Sequence, residues 1–99
     1  MNIPKKIKVG GHDIKVVYPH YFSDQSDLKD GVYNSDVNTI YLAHKGDGSR
    51  VVLTLIHEVL HAIDEMYNSE GLTEEQVLRL SEGLYQVLKD NKTLRNVCS

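Results

Sequence analysis

Apolar positions recur with a period near two in the first half of the chain and near 3.6 in the second. Over residues 52–66, Val52, Leu55, Ile56, Val59, Leu60, Ile63 and Met66 gather into one broad stripe at about 100° per residue, which predicts an amphipathic helix. Ser49 is its expected N-cap. A second helix is predicted from Thr73, where Gln76 three residues on completes a capping-box pattern. Its expected core stripe is Val77, Leu80, Leu84, Val87 and Leu88, and Asp90-Asn91 closes it. Residues 92–99 read as a loose tail.

The first half reads as strands. Residues 7–9 and 13–18 flank Gly10-Gly11, a tight-turn signal, and Pro19 is expected to end the second strand. His12 and His20 then fall in solvated loops. Residues 21–31 form a polar connector whose Asp24, Asp27 and Asp30 lack the spacing of a calcium-binding loop. A second hairpin is predicted from 31–35 and 39–44 around Ser35-Asp36-Val37-Asn38. Its later strand stands just before the helix, so it is expected to border a cleft and to take an extended peptide by strand addition. Strands first and helices afterwards imply an α+β fold, two N-terminal hairpins in a small sheet packed on two C-terminal helices.

Composition narrows the partners. Ninety-nine residues, 40% hydrophobic and 25% charged, describe one ordinary globular domain, 1–99. A net charge of −3 gives no electrostatic reason to bind nucleic acid or an anionic membrane. No apolar run reaches the ~20 residues of a membrane span, and the N-terminus lacks the apolar core of a signal peptide. The single cysteine, Cys98, excludes an intrachain disulfide and suits a reducing, cytoplasmic setting.

The chemistry is concentrated in His57-Glu58-Val59-Leu60-His61. Residues four apart on a helix stand one above the other, so both imidazoles can reach one metal ion, with Glu58 beside it as general base. Both histidines fall opposite the centre of the apolar stripe, where a cleft would lie, beside Thr54 and Asp64. Shuffling this composition would produce the motif about 1–2% of the time. The helical context therefore decides between a metal site and two merely solvated rings. Catalytic zinc usually takes three protein ligands, and the acids of the second helix are Glu74, Glu75 and Glu82. In a tight antiparallel hairpin Glu82 is level with the histidines, yet it falls roughly 140° from Val77, on the far side from the apolar stripe, and so does Glu75. Glu74 lies roughly 60° from Val77, at the stripe's edge, and is preferred as third ligand if the helices cross at an angle. Its alternative role is that of a first-turn acid favoured by the helix dipole. Asp64 is either a partner for a histidine N–H or a solvated acid.

An H-E-x-x-H helix followed by an acid on the next helix resembles the gluzincin metallopeptidases. The preceding hairpins, residues 53–64 and the closing stretch 80–91 resemble the very small zinc peptidases encoded by phages and mobile elements, relatives of the class that cleaves immunity repressors. The resemblance spans most of the chain from Ile7 onward and implies a minimal zincin-like fold. It also implies Zn2+ held by His57, His61 and Glu74, Glu58 as base, and a protein or peptide substrate. Tyr67, Tyr85 and His44 are the candidates for stabilising the transition state. The contrasting expectation is a metal-stabilised accessory module that grips a protein partner and cuts nothing.

Overall fold

The computed structural model describes residues 3–22, 30–43 and 48–97. Most of the connector with Asp24 and Asp27, together with His44 and Cys98, lies outside the described residues. The elements run β1 (Lys6–Val9), β2 (His12–His20), β3 (Gly31–Asn34), a 3-10 turn (Ser35–Val37), β4 (Thr39–Ala43), α1 (Gly48–Tyr67), α2 (Glu74–Asp90) and α3 (Lys92–Val97). The fold is α+β, with one four-stranded mixed sheet and helices after it.

Both expected hairpins form. Gly10 and Gly11 adopt φ of 58° and 80°, the paired positive values that a two-residue turn between twisted strands demands. Gly10 also lets α1 approach, since a Cβ there would stand 2.7 Å from Met66 Sδ. The hairpins do not simply follow one another across the sheet. Its order is β1-β2-β4-β3, with β2 and β4 parallel. β4 takes the interior place, paired on both edges, and Thr39, Ile40, Leu42 and Ala43 are all buried there. The sheet's edges go to β1, with its exposed lysines, and to β3. The expectation that β4 offers an edge to a peptide is therefore corrected, because both its sides are paired; the edge strand packed beside α1 is β3.

Other boundaries move too. β2 continues through Pro19 to His20, and the proline falls where the β2–β4 ladder is interrupted, so its missing N–H costs no ladder bond. His20 is accordingly no loop residue; its ring lies 4.5 Å from Phe22 and 4.7 Å from Tyr41. His12 opens β2 opposite Val9. Ser49 lies within the first turn of α1 rather than capping it. Residues 92–97, expected as loose tail, form α3, with Arg95 Nη1 donating to the Leu88 carbonyl at 2.7 Å.

The core joins Ile14, Val16, Ile40 and Leu42 of the sheet to Val51 and Ala62 of α1, with Leu55, Val59 and Met66 against them. This face is rotated about 60° from the stripe's centre. The reason is that α1 packs against the sheet on one side and α2 on the other, so its apolar residues serve two contacts. On α2, Val77 and Ser81 are the buried residues, while Leu80 is 51% exposed and Leu84 39% exposed. The buried line of α2 is therefore displaced from the leucine stripe. A small side chain sits where α2 meets its neighbour, and Ser81 satisfies its hydroxyl by donating to the Leu78 carbonyl at 2.7 Å.

Candidate metal centre

Two elements build the centre. On α1, His57 and His61 stand one turn apart, with Nε2 atoms 3.1 Å from each other and ring centroids 4.8 Å apart. α2 brings Glu74, on the same line as Val77 and Ser81 (i, i+3, i+7), to meet them. Glu74 Oε1 lies 2.7 Å from His57 Nε2, and Oε2 lies 3.0 Å from His61 Nε2. One ligand atom from each of the three residues lies within 4.8 Å of the others, and the group can hold a metal ion. The imidazoles are largely sheltered, 15% and 29% exposed, whereas the Glu74 side chain is 70% exposed.

The donor set suits a cation that takes nitrogen and carboxylate ligands. Zinc with ligands at about 2.0–2.2 Å in tetrahedral geometry separates them by about 3.3–3.5 Å. The observed spacings of 2.7, 3.0 and 3.1 Å are shorter than this by about 0.2–0.8 Å, so the two rings as well as Glu74 would draw apart to admit an ion.

Asp64 sets where α2 begins. It is buried, and its carboxylate accepts from Asn68 Nδ2 at 2.9 Å and from the backbone N–H of Leu72 at 3.2 Å. Its carbonyl takes the N–H groups of Asn68 and Glu70. Neither role expected for Asp64 describes this: it is a clasp on the α1–α2 turn. Thr73 then starts α2 with a complete capping box. Of the other acids, Glu75 pairs with Arg79 at 2.6 Å and Glu82 is exposed, so neither joins the group.

Glu58 is buried beside the imidazoles, on the side of α1 facing β3. Burial raises its pKa above the usual carboxylate value; the two histidines oppose the rise, Glu74 adds to it, and a hydrogen bond from the Tyr33 backbone opposes it. β3 can lie this close because Gly31 has no side chain: a Cβ there would be 2.7 Å from Thr54 Cγ2.

Two clefts of about 410 Å³ and 400 Å³ flank the centre and share Glu58 and Glu74 in their walls. The first also contains His57, Arg50, Asp30, Leu53 and Leu78. The second contains His61, Tyr33, Glu65 and Glu70. Sequence reasoning missed Arg50 and Tyr33. Arg50 lies seven residues before His57, hence on the same helix face, a signal that was available. Tyr33 has no such signal, because its place depends on β3 meeting α1. Tyr67 instead lies beside the Gly10 turn and Tyr85 beneath Lys89, and neither lines these clefts.

Compared with family models, curated proteins and solved structures, the chain finds no match. Among the described residues, no helix is long and apolar enough to cross a membrane.

Proposed function

We propose that the chain is a small zinc-dependent metallopeptidase of zincin-like design, with His57, His61 and Glu74 as metal ligands and Glu58 as general base. The observation that carries this reading is the convergence of three donors from two helices with a buried, proton-avid carboxylate alongside. The resemblance of the H-E-x-x-H helix to gluzincins and to small phage-encoded peptidases agrees with it.

Zinc, when bound, supplies Lewis acidity that lowers the pKa of water toward about 7 and polarises a carbonyl. Glu58 accepts the proton of the attacking water and returns it to the leaving amine as the C–N bond breaks. Its burial holds the carboxylate beside the imidazoles and away from bulk water. The Tyr33 backbone of β3 faces the carboxylate and favours its charged form. The flanking clefts give the chain on each side of the scissile bond a place to lie.

Metal content and hydrolysis of unfolded protein substrates test this together. Glu58→Gln should retain one zinc per chain and lose at least about a hundredfold in rate. Glu58→Gln cleaving as fast as wild type would reject the base. Zinc at one per chain, with no peptide cleaved by wild type, would assign the chain to metal-stabilised binding modules.

A further inference from the structure

The apolar stripes of α1 and α2 are wider than the contacts the two helices make. On α2, Val77 and Ser81 are the buried residues, while Glu74 and Leu78 turn to the clefts beside the metal centre. Leu80 and Leu84 stand roughly 160° and 120° around the helix from Leu78, on the side away from those clefts. On α1, Ile63 and Tyr67 stand at the same rough angles, 160° and 120°, from His61. The helices form a hairpin joined across residues 68–73, and one pair of their sides meets at the clefts. Their opposite sides therefore meet as well. All four side chains are more than a third exposed, and together they make one apolar strip along the back of the hairpin.

Gly83 gives a second, independent sign of what covers this strip. It lies roughly 60° from Leu80 on the helix and next to Leu84 in the chain. Glycine is disfavoured inside a helix, because it leaves the unfolded chain more backbone freedom to lose. Nothing lies within 4 Å of the place its Cβ would take, so no contact within the described chain calls for it. A bare backbone at that place lets another helix come close.

The size of the face selects the occupant. The 17 residues of α2 run about 25 Å, and two helices side by side are roughly 20 Å wide. Each copy thus presents about 500 Å², and a pair of copies buries roughly 1,000 Å², the least that a specific interface needs. A lone helix would leave much of the face open, whereas a second hairpin has the dimensions to cover it. A two-fold axis then sets apolar side chains against apolar ones, with four helices packed together. A net charge of −3 per chain adds little repulsion.

We propose that the back of the α1–α2 hairpin is a homodimer interface, centred on Ile63, Tyr67, Leu80, Gly83 and Leu84. Because the strip lies opposite the metal centre, dimerisation and peptidase activity stand or fall separately.

Sedimentation velocity of the full chain over about 1–500 µM tests this. The wild-type mass should rise toward twice the 11.2 kDa of one chain, with half conversion in the micromolar range expected of so small an interface. Leu80→Glu/Leu84→Glu should keep the mass of one chain throughout, with an unchanged far-ultraviolet circular dichroism spectrum. Ile63→Glu/Tyr67→Glu should do the same from the α1 side, so the face remains testable where one pair fails to fold. Val37→Glu, exposed on the turn before β4, should dimerise as wild type does. In samples diluted below the transition the face is open to water, and Leu80→Ala there behaves as a change at an exposed position. A single-chain mass at every concentration, or a dimer kept by either folded double variant, overturns the assignment.

Discussion

Helices α1 and α2 contribute to one centre in opposite ways. His57, Glu58 and His61 belong to a helix packed against the sheet on one side and α2 on the other. Their mutual spacing is that of an α-helical turn and would survive in any fold that kept the helix. Glu74 stands on the first turn of α2, largely in solvent, and reaches the imidazoles only through contacts that aim the whole helix. Those contacts are the Asp64 clasp, the Thr73–Gln76 capping box and the close approach at Val77 and Ser81. The α1 half is fixed by local geometry; the α2 half hangs on packing.

The most severe way to break the comparison is to remove an α1 ligand. His57→Ala should abolish stoichiometric zinc binding, read by metal analysis, and hydrolysis with it. Glu74→Ala, on the α2 side, should keep detectable zinc but weaken it beyond the roughly 10–100-fold that losing an outer partner costs. Titration against a competing chelator checks this, and equal losses for the two variants would erase the asymmetry.

Attacking the aim of α2 without touching a ligand comes next. Asp64→Ala leaves the Leu72 N–H and the Asn68 amide without their acceptor, and should cost about 1–3 kcal/mol in urea unfolding. Zinc affinity should fall as well, because Glu74 is no longer directed. Full zinc affinity in a destabilised Asp64→Ala would mean that the clasp does not aim Glu74. Ser81→Leu, overfilling the contact between the helices, should cost about 1–3 kcal/mol. Leu80→Ala, one residue away on an exposed face, should stay within about 0.5 kcal/mol.

The finest comparison concerns charge on the α1 side. In the metal-free protein, burial raises the Glu58 pKa above its ordinary value of 4.5, so the native state holds that proton more tightly than the unfolded chain. The stabilisation is complete below the unfolded value and is lost as pH rises through the raised one. Metal-free Glu58→Gln, whose side chain does not titrate, should therefore be more stable than wild type at neutral pH. Its advantage should disappear on acidification. Parallel melting curves across pH read the effect, and a constant gap at all pH values would contradict the buried charge.

How much of this was legible follows from the range of the interactions. Gly10-Gly11 announced its turn, Thr73 and Gln76 their cap, and His57 and His61 their shared face, because each depends on neighbours within a few residues. The leucines of α2 misled, since Leu80 and Leu84 fit a helical period yet lie in the open, while Ser81 takes the contact. Likewise the apolar residues of α1 averaged two buried sides into one stripe and hid the turn of Glu58 toward β3. The wheel angle of Glu74 places it at the stripe's edge, but that angle alone does not say that the helices meet there.

The sequence by itself determined the four strands and two long helices in their order, the Gly10-Gly11 turn, the Thr73–Gln76 cap and the imidazole pair, because backbone sterics and helical periodicity act over one or two turns. Only the tertiary structure decided that β4 lies inside the sheet, that Asp64 clasps the turn, that Glu74 rather than Glu75 or Glu82 meets the histidines, and that Tyr33 shares their cleft. Those outcomes turn on how well whole surfaces fit, on a missing Cβ at Gly31 or a small Ser81 between helices. No stretch of a few residues carries that information.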